Sequence, residues 1–219
     1  MLYAFACFAG YASKTMNESL AQHYLDDAIA SFRTYKKLAE KALDQLKDEE
    51  YFVTLDAESN SIAVIMKHIA GNMFSRWTDF LTSDGEKPDR NRDMEFVIGA
   101  GTTKDDVRDY WERGWACLFN ALEPLQPEDF ERKVLIRGEP HTIVQAINRQ
   151  LTHYAQHIGQ IVFLAKHFRS EEWQSLSIPR NRSAAFNKYL AAKPQGETNA
   201  AERFDEVGRF AKGSAEKKE

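Results

Sequence analysis

Between Thr142 and Phe168 apolar side chains return every third or fourth residue, at Ile143, Ile147, Leu151, Tyr154, Ile158, Ile161 and Ala165. That spacing lays one apolar stripe along a single face of an α-helix. Three other stretches carry the same signature. From Ser19 to Leu46 the stripe is Leu20, Tyr24, Ala28, Phe32, Tyr35, Leu38, Ala42 and Leu46. A second helix starts at Asn60 or Ser61 as N-cap and runs through Ile62, Ile65, Met66, Ile69, Met73, Trp77 and Phe80 until Ser83-Asp84-Gly85. Thr102 or Thr103 caps a third, with Asp105 and Asp106 in its first turn, where acidic groups favour the helix dipole. Its stripe is Val107, Tyr110, Trp111, Trp115, Leu118 and Leu122, and it stops before Pro124. Trp77, Trp111 and Trp115 read as core at this spacing. Eleven glycines and six prolines in 219 residues fall below the ~12% of an average chain, which also favours long helices.

Four helices with one apolar face each bury those faces most simply against one another, so the expected fold is all-α, a four-helix bundle. The stretch from Asp84 to Gly101 is long enough for a crossover between helices two and three. Lys133–Arg137 reads as a short extended segment leading through Gly138-Glu139-Pro140 into helix four. The expected domain is 16–192. Residues 1–15 read as an extension outside the fold, because Met16 and Asn17 precede the first clear helical pattern. Residues 193–219 read as a polar tail with at most one short helix, anchored only by Phe204, Val207 and Phe210. The apolar run Leu2–Ala12 is far short of the ~20 residues of a membrane span and lacks the preceding basic residues of a signal peptide. A cytoplasmic protein with no membrane partner is expected. With a net charge of −4 the chain has no uniform basic field, and nucleic acid is not an expected partner.

Two cysteines are too few for a disulfide framework or a thiolate zinc site, whereas six histidines suffice for a nitrogen-ligand site. His153 and His157 stand four apart on helix four, so their rings share a face. Two readings of the pair stand at this point, a polar helix edge or two ligands to one metal. His68 sits in mid-helix two beside Ile69. It is either a satisfied core histidine or the third ligand, the latter if helices two and four are neighbours. His23, His141 and His167 lie near helix ends and are left out. Asn72, one turn after His68, Gln160, three after His157, and Arg149, one turn before His153, are candidates to bind substrate. Solvated or packing roles also account for each of them.

The segments MKHIAGN (66–72) and HYAQHIGQI (153–161), late in a four-helix pattern, resemble the DinB/YfiT-like superfamily of metalloenzymes. The run SLSIPRNRSAAFNKYL (175–190) is similar to the C-terminal part of a DinB-like bacterial subgroup. The resemblance extends from about Leu20 to Leu190. It implies a crossover bundle, often a homodimer, with a divalent ion, zinc or nickel, held by His68, His153 and His157. Relatives include transferases and isomerases that use low-molecular-weight thiols, and others labelled metal-dependent hydrolases. The resemblance therefore implies a small-molecule substrate and a thiol S-transferase. A metal-dependent hydrolase, or a non-enzymatic metal-binding dimer, is the alternative. Three neutral imidazoles leave the full charge of the ion to act on a bound thiol or water.

Overall fold

The computed structural model describes residues 2–193, 196 and 200–215. The described residues form six α-helices and one hairpin: α1 (Leu2–Leu43), α2 (Ile62–Trp77), α3 (Lys104–Leu122), β1 (Lys133–Ile136), β2 (Glu139–Thr142), α4 (Ile143–Arg169), α5 (Ser183–Ala191) and α6 (Ala200–Ala215). No described helix is long and apolar enough to cross a membrane. The class is all-α, as the stripes implied.

Two compact units divide the chain, residues 1–29 with 63–153 and residues 30–62 with 154–219, and α1 and α4 contribute to both. In the first unit the core is built on Ile65, Ile69, Trp77, Trp111, Trp115 and Ile147. The three tryptophans are core residues, as their spacing implied. Here α2 and α3 approach closely. A Cβ added at Gly114 would stand 2.9 Å from both Cα and Cβ of Ala70, so only glycine admits the contact. The start of α3 closes with a capping box: the Thr103 Oγ accepts from the Asp106 N–H, and the Asp106 carboxylate accepts from the Thr103 N–H at 2.9 Å.

Departures from the sequence expectation occur on α1 and around β1. The α1 helix runs from Leu2, ends at Leu43 before Leu46, and leaves Leu20 69% exposed. From Ser19 onward its buried residues are Leu25, Ala28, Ala30, Phe32, Ala39, Ala42 and Leu43, of which Ala28, Phe32 and Ala42 belong to the expected stripe. Tyr24 instead reaches across to α4, donating to Asn148 Oδ1 at 2.7 Å. The extended segment at 133–136 has a partner: β1 pairs antiparallel with β2 through Ile136 opposite Glu139. Arg137 and Gly138, at φ 57° and 76°, make the two-residue turn whose positive dihedrals match strand twist. The carboxylate of Asp84 holds this turn, accepting from the N–H of Arg137 at 2.8 Å and of Gly138 at 2.7 Å. Gly85 donates to the Leu135 carbonyl at 2.7 Å, while Ser75 and Arg76 donate to the Gly85 carbonyl. The connection after α2 is thereby tied both to the helix it leaves and to the hairpin.

The second unit has Phe32, Tyr51, Tyr154, Ile158, Ile161 and Phe186 at its core. The segment read as a polar tail contains α6, a helix of 16 residues. Phe210 of α6 lies 5.0 Å from the Phe186 ring and 5.4 Å from Tyr189, and the Lys41 ammonium stands over Phe204. Apolar residues at 204, 207 and 210 share one face of a helix, which explains how a segment of polar composition docks.

Candidate metal centre

The site begins with the burial of α2. Every residue from Ser61 to Trp77 is buried except Lys67 and Phe74. A helix apolar nearly all round is interior, so a histidine in its middle cannot turn its ring to water, and His68 is 4% exposed. Both of its ring nitrogens then need partners. Nδ1 donates to Glu95 Oε2 at 2.8 Å, and Nε2 faces the Nε2 of His153 at 3.3 Å. The two rings meet edge to face with centroids 5.3 Å apart.

His157 follows His153 by one turn of α4, and its Nδ1 donates to Gln160 Oε1 at 2.8 Å. A ring nitrogen that donates to a carboxylate or amide oxygen carries the proton, which leaves Nε2 as the ligand atom. One nitrogen from each of His68, His153 and His157 lies within 4.8 Å of the others. Two imidazole nitrogens, each about 2.0–2.1 Å from one zinc ion at a tetrahedral angle, are about 3.4 Å apart. The 3.3 Å between His68 and His153 fits that requirement, and the donor set suits zinc, nickel, copper or iron.

Glu95, the carboxylate that meets His68, is a residue of the site that the sequence did not reveal. It comes from a 3-10 turn, Asp93–Phe96, in the connection between α2 and α3. The side chain is buried, and Arg90 closes on it with Nε to Oε1 at 2.8 Å and Nη2 to Oε2 at 3.1 Å. Burial alone would push its carboxyl up, but the hydrogen bonds from His68 and Arg90, with the Arg90 charge, hold it below the ordinary carboxylate range. Arg90 also pairs with Glu86, which pairs with Arg76 at 2.9 Å. Arg90 and Glu95 line an open cleft of about 470 Å³ together with Lys67, Gly71, Lys87 and Tyr110. No local sequence signal marks Glu95; in the structure it packs against Gly71, where a Cβ would lie 2.7 Å from Glu95 Oε1.

Of the other candidates, Asn72 is buried on α2, one turn beyond His68, and Arg149 is exposed on α4. Gln160 acts on the His157 ring through the hydrogen bond already described. His141 bonds the Glu139 carbonyl within β2, and His167 packs on Phe168. Neither is in the cluster.

Residues 19–182 match the family described as "Protein of unknown function (DUF1572)". The chain belongs to the DUF1572 family. The match takes in α2, α3, the hairpin and α4 entire, hence all three clustered histidines and Glu95, and ends one residue before α5. No curated protein matches this DUF1572 chain.

Proposed function

We propose that this protein is a metal-dependent enzyme of the DinB/YfiT-like kind, most simply a thiol S-transferase that works with a low-molecular-weight thiol on a small electrophile. The observation that carries the reading is the convergence of three imidazole nitrogens within 4.8 Å. The DUF1572 match supports the kinship drawn from MKHIAGN and HYAQHIGQI. His68, His153 and His157 would hold the ion, zinc or nickel. A divalent ion with three neutral ligands supplies Lewis acidity and lowers the pKa of a thiol or water that it binds.

The protein residues have separate tasks. His68 is fixed by Glu95 on one nitrogen and by the Phe96 ring, whose centroid lies 4.9 Å from its own. Gln160 orients His157. Both anchors hold the rings for ligation before the ion arrives, which reduces the ordering that binding would otherwise require. Asn72 and Arg149 are the proposed contacts to substrate. The chain is proposed to form the crossover four-helix bundle and to pair as a homodimer.

The test is turnover. Metal-free protein is reloaded with zinc or nickel and mixed with an electrophile and, in turn, glutathione, bacillithiol or mycothiol. Metal-dependent loss of free thiol in the wild type, abolished in His153→Ala, is the expected result. Hydrolysis of ester or amide substrates with no thiol consumption would sink the transferase reading.

A further inference from the structure

We propose that Glu95, clasped by Arg90, is a positioning residue that sets the His68 ring for metal ligation. The inference rests on the three-histidine reading of the site and adds a residue to it that lies outside the ligand set.

The geometry runs along one line of contacts. Arg90 occupies both carboxylate oxygens of Glu95, at 2.8 and 3.1 Å. Paired in this way, Glu95 presents a charged acceptor to His68, and Oε2 accepts a hydrogen bond from the Nδ1–H at 2.8 Å. The Nε2 lone pair is then directed at His153, 3.3 Å away. An imidazole whose outer nitrogen donates to a carboxylate is both fixed in tautomer and more basic, which strengthens it as a ligand.

Three features fit this role better than a purely structural ion pair. Burying a carboxylate costs stability unless partners compensate, yet the chain brings Glu95 from 27 residues away to the one histidine in the middle of the buried helix. Gly71 carries no side chain at the point where a Cβ would stand 2.7 Å from Oε1 and 2.8 Å from Cδ of Glu95, so a side chain there would have to displace the carboxylate from His68 and Arg90. The face of the His68 ring is covered by Phe96, the next residue, itself under the Arg92 guanidinium at 5.0 Å. One short turn therefore supplies the hydrogen bond and the packing that together fix the ring's rotation.

The experiment uses full-length metal-free protein titrated with Zn²⁺ in competition with a chromophoric chelator. It compares wild type with Glu95→Gln, Gly71→Ala and His68→Ala. Glu95→Gln and Gly71→Ala are expected to weaken zinc binding about 10- to 100-fold, and His68→Ala to weaken it further. Nitrogen NMR of the metal-free wild type is expected to show His68 protonated on Nδ1, a readout that depends on no variant's folding. Wild-type zinc affinity in Glu95→Gln and Gly71→Ala, with His68→Ala impaired, would overturn the positioning role and leave the metal site standing. Wild-type affinity in His68→Ala would overturn both. A His68 ring protonated on Nε2 would overturn the role of Glu95 by itself.

Discussion

His68 Nε2 and His153 Nε2 face each other 3.3 Å apart, one from a helix buried almost all round and the other from α4. Two imidazole nitrogens at this separation either share a proton or share a cation. The Glu95 hydrogen bond on the far side of His68 and the presence of His157 one turn along α4 favour the cation.

Metal should therefore stabilise the fold. An ion that binds only the native state adds about 2.7 kcal/mol when free ion exceeds Kd 100-fold. Thermal unfolding of the wild type is expected to rise by several degrees with zinc and to fall back with chelator. In His153→Ala the midpoint is expected not to respond.

Glycine substitutions should divide by location. Gly114→Ala forces a Cβ to 2.9 Å from the backbone of Ala70, and overpacking of this kind costs about 1–3 kcal/mol or more. Gly159→Ala, exposed on α4 with open space around it, should instead add about 0.5–1 kcal/mol through helix propensity. Denaturant midpoints of the two variants should move in opposite directions.

Acid should loosen the hairpin through Asp84. Its carboxyl is held below the ordinary value of 3.8 by the Glu86 N–H first and then by those of Gly138 and Arg137. A depressed native pKa gives stability that is present above 3.8 and lost as the pH falls below it. Asp84→Asn should be less stable than wild type at neutral pH by about 1 kcal/mol, and the gap should narrow as acid titrates the wild type. Amide exchange at Arg137 and Gly138, followed against pH, reads the same loss locally.

Removing the aromatic anchor of α6 should cost stability, although no clustered histidine lies near it in sequence. Phe210 is 9% exposed and packs on Phe186 and Tyr189. Phe210→Ala is expected to lose about 3 kcal/mol, measured by urea unfolding, with zinc affinity unchanged.

The parts legible in the sequence were those with local signals. Periodicity located the long helices, and the Thr103–Asp106 spacing marked the start of α3, because capping needs only neighbouring residues. The i, i+4 pair and one mid-helix histidine led to the cluster for the same reason. Tertiary features escaped. Leu20 matched the stripe of α1, but a stripe states which residues share a face and not which face meets protein. The second strand, Glu-Pro-His-Thr, has no apolar alternation and is held by its pairing and by Asp84. Glu95 stands in a connection without periodicity. Its contact with His68 arises only when the chain returns to α2, against the bare Cα of Gly71.

Equilibrium dialysis of tag-free, metal-free protein against Zn²⁺ and Ni²⁺, followed by elemental analysis, tests the three-histidine centre most directly. One ion per chain in the wild type, with sharply reduced occupancy in each of His68→Ala, His153→Ala and His157→Ala, is the predicted result. A wild type that retains no ion, or undiminished occupancy with all three histidines replaced, would contradict it.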